Sequence, residues 1–203
     1  MPLQVSVDDS TTTTSLRLRL RDGTSELHRR LEARLDLLTP GLTRERYRRV
    51  LAALYGYYEP LEQRLGVIAA TQLFGLTLHA RAPNLVADLA WLGLSPDRIA
   101  RLPRCTALPR IDGVEDAAGC LYVVEGAALG GVVVTRALGP RLGSTPERGG
   151  RFFADAGSNV SQRWSTVVAW LDALPGRGDA VLAAARATFS TLDRWLAAQK
   201  SAQ

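Results

Sequence analysis

The chain has 203 residues, 46% of them hydrophobic, enough for the core of one large domain or two small ones, with one as the default. Its formal charge of +5 is placed unevenly: residues 16 to 49 hold ten arginines against five acids, while the remainder balances fifteen basic residues against fifteen acidic. That block suits an acidic partner, a small anion or a solvated face; nothing supports nucleic acid (no aromatic interleaving, zinc-finger spacing or helix-turn-helix) or a membrane span, since Glu125 and its glycines break the longest apolar stretch, Ala117 to Val134.

Residues 1 to 15, MPLQVSVDDSTTTTS, lack the basic start and apolar segment of a secretory signal and carry a threonine run, which predicts a disordered tail ahead of one helical domain over 16 to 200. Leu20, Leu27, Leu31, Leu35 and Leu38 form a stripe apart from an arginine face, so a first helix is predicted over about 16 to 38. After the TPG turn, Thr43 caps a second long helix with Tyr47, Val50, Leu51, Leu54, Tyr58, Leu61 and Leu65 inward and a kink at Pro60. Asn84 is the predicted cap of LVADLAWLG, Gly93 its stop, and Ser95 with Pro96 opens a short helix. Prolines 103 and 109 impose a loop. A glycine-bearing helix follows from about Val114 to Leu138, and residues 143 to 151 are turn-rich. Ser158 or Ser161 opens a helix through Leu174, and PGRG leads into a last helix with Leu182, Ala185, Phe189, Leu192 and Leu196 on one face. Strand alternation is nearly absent. The fold class is therefore all-α, a single domain of seven or eight helices with pockets between them.

The two cysteines, Cys105 and Cys120, have neither metal-ligand nor redox-motif spacing and are expected to be reduced thiols of a cytoplasmic protein. Only His28 and His79 are available as imidazoles. A three-histidine zinc site is impossible, neither histidine follows a glutamate by three residues as a di-iron bundle requires, and no GxSxG elbow marks a hydrolase. EGAALGG, residues 125 to 131, places three glycines inside an apolar helix, each costing about 1 kcal/mol against alanine. Two uses answer that cost. Small residues let a second helix pack closely, or they let a flat macrocycle, with its iron held by one axial imidazole, lie against the backbone.

LRDGTSELHRRLE, then GCLYVVEGAALGG, then RFFADAGSNVSQRW, then ARATFSTLDRWL resembles, in that order from about Leu16 to Leu196, the heme oxygenases, above all the bacterial branch serving bacteriophytochromes. The resemblance implies heme b between a proximal helix with the axial histidine and a kinked, glycine-rich distal helix. It also implies oxidation of heme to biliverdin with release of carbon monoxide and iron. Carried across, His28 aligns with the ligand of the heme iron, and Glu32, one turn on, is placed to accept a hydrogen bond from the other imidazole nitrogen. Gly126, Gly130 and Gly131 match the distal glycines, of which Gly126 and Gly130 would crowd the distal face and tilt dioxygen toward a meso carbon. Arg21 aligns with a basic residue near one heme propionate, where a guanidinium fork orients the ring; Arg163 is a candidate for the other. Phe189 matches a position near the pocket, and His79 reads as a surface residue.

One position departs from the pattern. Where the family often has Asp or Ser after the first distal glycine, helping to hold the water that delivers protons, this chain has Ala127. Backbone carbonyls, water or Glu125 would have to serve instead, although Glu125 also reads as a buried carboxylate with a basic partner. The implied partners are heme, an electron-donor protein (a ferredoxin or flavoprotein reductase with an acidic face) and a bacteriophytochrome. The rival reading is a heme-binding or heme-transfer protein without turnover, and a weaker one a helical interaction module without cofactor. Relatives of the fold that process thiamine use a catalytic cysteine, for which Cys105 and Cys120 give little support.

Overall fold

A computed structural model describes residues 15–72, 78–155, 159–174 and 176–201. The tail over 1–14, Ser158 and Pro175 lie outside these residues. Among the described residues there are eight α-helices and no strand: α1 (Leu16–Leu35), α2 (Arg44–Gln72), α3 (Ala82–Trp91), α4 (Pro96–Ala100), α5 (Val114–Leu142), α6 (Arg151–Ala154), α7 (Val160–Asp172) and α8 (Gly178–Ser201). α5 is central, packed on α8, α7 and α6, and α1 lies along α8.

The helix ends differ from the sequence reading at several points, each for a local reason. Ser15, assigned to the tail, caps α1, its Oγ accepting from the Leu18 N–H at 3.4 Å. α1 stops at Leu35 rather than 38 because Asp36 turns into the left-handed region at φ 48° and returns its N–H to the Glu32 carbonyl. That turn swings Leu37 into the core and leaves Leu38 exposed, so the last residue of the predicted stripe is off by one. Thr43 does cap α2, accepting from the Arg46 N–H at 3.1 Å. Asn84 does not cap α3, which begins two residues earlier with Pro83 in its first turn. Asn159 caps α7, accepting from the Gln162 N–H at 3.1 Å, and Ser161 lies inside that helix.

Pro60 leaves the Gly56 carbonyl without its helical donor. The loop after α4 answers, its Cys105 N–H reaching that carbonyl at 2.8 Å. The approach needs glycine at 56, because a Cβ there would press on the Pro103 carbonyl oxygen and sit 2.8 Å from the Trp195 ring.

α6 was not foreseen. Its N-terminus is capped from outside by Asp88 of α3, whose two carboxylate oxygens accept from Arg151 N–H at 3.0 Å and Phe152 N–H at 2.9 Å. No local pattern announces a cap supplied from 63 residues away.

α5 is long and apolar enough to cross a membrane by length and composition alone, Glu125 and its glycines notwithstanding. Here its apolar face is core: Ala117, Ala118, Cys120, Leu121, Val124, Ala128 and Leu138 are buried. Both cysteines are free and buried. Burial pushes the Cys120 thiol up to about 11, against a hydrogen bond with Thr188, and raises Cys105 as well, so neither is poised as a nucleophile.

The basic block is largely neutralised within the fold. Arg19 pairs with Asp179, Arg29 with Glu26, Arg46 with Asp36, and Arg30 and Arg34 both with the buried Asp193.

Candidate functional site

A cavity of about 670 Å³ opens between α1 and α5 and runs inward to α2, α6 and α8. It falls within the ~300–1000 Å³ of ordinary ligand pockets. Along α1, Arg21, His28 and Glu32 face it, because positions seven and four apart stack on one side of a helix. Across the gap α5 presents Tyr122, Gly126, Ala127 and Gly130, and α8 contributes Phe189.

The His28 ring is half exposed, with Phe189 edge-on at 6.0 Å between ring centroids and an interplanar angle of 84°. Its Nδ1 lies 3.6 Å from the Glu32 carboxylate, an electrostatic contact longer than a hydrogen bond. The expected imidazole–Glu32 hydrogen bond is therefore not formed in this geometry. Arg21 stands at the mouth, two-thirds exposed, its Nε donating to Asp22 at 2.9 Å; Arg17 and Arg29 flank it on the same wall. Tyr122 of α5 reaches this rim. Burial raises its hydroxyl, while Thr24, Arg17 and Arg21 pull it down.

The glycines separate into kinds. A Cβ on Gly130 would meet nothing within 4 Å, and one on Gly126 would touch only the Trp164 ring, at 3.6 Å. Both therefore leave room beside the helix backbone. Gly131 lines the same cavity, yet its missing side chain is replaced by protein: a Cβ there would fall on the Phe153 carbonyl oxygen, 2.8 Å from its carbon. Of the three glycines read as distal, Gly131 is a packing glycine for α6.

Arg163 is not brought to the cavity. Its guanidinium donates to Glu125 at 2.8 and 3.1 Å and to Asp155, and both acids are buried. Two buried carboxylates share the Nε and Nη2 of one arginine, so Arg163 ties α7 to α5 and α6. Glu125, with Arg163 as its basic partner, points into that cluster. His79 is exposed, away from the cavity.

Sequence reasoning missed the inner end. Arg81 is only 1% exposed and donates to the carbonyls of Val124 at 3.2 Å and Phe152 at 2.8 Å, with its guanidinium over the Phe152 ring at 4.3 Å. Its Nε has no hydrogen-bond partner. Tyr58 lies beside it, with the Arg81 guanidinium 5.7 Å from the ring centroid, and burial raises its hydroxyl although Arg81 opposes. HARAP carries no signal that its arginine is internal. Among the described residues no group of three His, Cys, Asp or Glu side chains is placed to hold a metal ion, so the only nitrogen ligand the cavity offers an iron is His28.

The fold has close relatives of known structure. It matches the NO- and CO-bound heme oxygenase from Neisseria meningitidis with a TM-score of 0.74 at 20% identity, covering 93% of this chain and 94% of that one. The heme oxygenase from Leptospira interrogans matches at 0.71 and 22%, covering 91% and 100%. In sequence the chain is 31% identical over 157 residues to heme oxygenase PigA of Pseudomonas aeruginosa, 77% of each chain. The heme oxygenase family profile matches residues 14–198, nearly the whole helical body with its cavity, and the chain belongs to the heme oxygenase family.

Proposed function

We propose that this chain oxidises heme to biliverdin, carbon monoxide and ferrous iron, and that it does so in the bacterial cytoplasm for a bacteriophytochrome. The observation that carries the reading is the cavity itself. It sets one imidazole, His28, across from two glycines whose missing side chains leave the α5 backbone accessible. A flat iron macrocycle needs that pair of walls, a nitrogen donor on one and a surface without side chains on the other. The residues present fit the group, and residues 16 to 200 are the unit that holds it.

In this reading heme b is both substrate and cofactor, and its iron supplies the oxygen chemistry. His28 holds the iron, and Phe189 limits rotation of the ring through its edge contact. Glu32 closes on the imidazole from 3.6 Å when the ring is engaged. Arg21 pairs with a propionate at the mouth, beside Arg17 and Tyr122. Gly126 and Gly130 keep the opposite face tight to backbone. Glu125 is committed to Arg163 and does not supply protons, and Ala127 has no polar atom to offer. Water organised by α5 carbonyls and by Tyr58 fills that role. Electrons come from a ferredoxin or flavoprotein reductase.

The test is an optical titration with hemin, followed by a ferredoxin reducing system in air with catalase present. Loss of the Soret band with growth of a broad red bile-pigment absorption, abolished in His28→Ala, is the expected result. A Soret band that survives reduction without pigment would replace this reading with that of a heme-binding protein for which Ala127 is the missing proton anchor.

A further inference from the structure

A second cavity, of about 360 Å³, lies on the other side of α2 from the heme-sized one and shares no lining residue with it. Three arginines line it, Arg48 and Arg49 from α2 and Arg98 from α4, together with Gln199 of α8 and no acidic residue. These arginines are less tied to carboxylates than most of the basic block. Arg48 and Arg98 form no side-chain hydrogen bond or ion pair among the described residues, and Arg49 has only a 3.7 Å contact with Glu45. Three positive charges around one concave site make its potential favourable to an anion.

The remainder of the lining is apolar, including Ala53, Leu94, Leu102 and Pro103. This floor is built in place. The 103–105 loop is held to α2 by the Cys105–Gly56 hydrogen bond at 2.8 Å, and α8 is held by the Trp195 Nε1–H donating to the Ala53 carbonyl at 2.7 Å. The floor is preformed, while Arg49 and Arg98 at its edge are exposed and Arg48 is half-buried, so a ligand's apolar body meets a surface that needs no ordering.

We propose that this cavity binds a small organic anion, with its phosphate or carboxylate group on Arg48, Arg49 and Arg98 and its apolar body on the floor. The site is independent of the heme reading.

The experiment is isothermal titration of the full chain at low salt, with and without hemin, using phenyl phosphate, phthalate and inorganic phosphate as probes. Phenyl phosphate or phthalate is expected to bind 1:1 with a Kd below ~1 mM, at least ~10-fold weaker in Arg48→Gln/Arg98→Gln and unchanged in Arg21→Gln or on hemin loading. Whichever of the two binds tighter identifies the headgroup, phosphate ester or carboxylate. Inorganic phosphate should bind at least ~3-fold more weakly than phenyl phosphate, because it leaves the floor uncovered. Absence of saturable binding by either aromatic probe, or equal affinity in the double variant, overturns the proposal; inorganic phosphate binding as well as phenyl phosphate overturns the apolar half of it.

Discussion

Two stretches of α5 use the same residue for opposite ends. At Gly119 the neighbouring helix fills the missing side chain, with Ala184 Cβ and the Ala185 nitrogen each 2.5 Å from where a Cβ would lie, and at Gly131 the Phe153 carbonyl does so. At Gly130 nothing approaches within 4 Å, and at Gly126 only one aromatic edge does. Gly119 and Gly131 hold helices together, and Gly126 and Gly130 hold them apart. α1 repeats the contrast on the other wall. Arg30 and Arg34 are anchored to the buried Asp193 of α8, while His28, on the same helix, has only a long contact to Glu32 and an aromatic edge. A helix that is rigid on one face and open on the other can position a ligand without being filled by protein.

The contrast predicts unequal costs for small changes. Gly131→Ala drives a methyl into a backbone carbonyl that cannot rotate away, and should lower unfolding free energy by about 3 kcal/mol in urea titrations. A loss below ~1 kcal/mol would mean that α6 can retreat, and the division among the glycines would fail.

Asp193→Asn comes next, at about 2 kcal/mol, because it leaves Arg34 facing a neutral amide in a half-buried site. The sign with pH is fixed. The hydrogen bond from Arg34, with the charges of Arg34 and Arg30, holds the Asp193 carboxyl below its ordinary value, so this stabilisation is complete above the usual carboxylate range near ~4 and drains away as pH falls toward the lowered value. Urea midpoints of the two proteins should therefore converge as pH drops below ~4. A constant gap from pH 7 to 3 would place the anchor elsewhere.

Gly130→Ala should act in the other direction, raising stability by up to ~1 kcal/mol through helix propensity because its Cβ enters open space. The same methyl projects into the cavity, so hemin affinity should fall as stability rises. Unchanged hemin binding would remove Gly130 from the proposed contact surface. The smallest effect on folding belongs to His28→Ala, within about 0.5 kcal/mol for an exposed side chain, while hemin ligation is lost in the optical titration. Comparable losses of fold and of hemin binding would instead make His28 a structural residue.

The order of the helices other than α6 was legible in sequence, because helical periodicity survives without coordinates, and the two residues that the four motifs carry, His28 and Phe189, lie on one cavity. Boundaries were less so where the deciding partner is distant. Asp36 ends α1 by a left-handed turn, and Asp88 caps α6 from 63 residues away. Arg163 was indistinguishable from a propionate partner until Glu125 and Asp155 converged on it.

By itself the sequence determined an all-α chain with two imidazoles and one glycine-rich helix, since residue type and a 3.6-residue period act locally. Only the tertiary structure decided which glycines face space and which face backbone, which arginines are neutralised, and that Arg81 is internal. Those outcomes depend on what other helices bring to the same point, and a one-dimensional pattern holds no record of that approach.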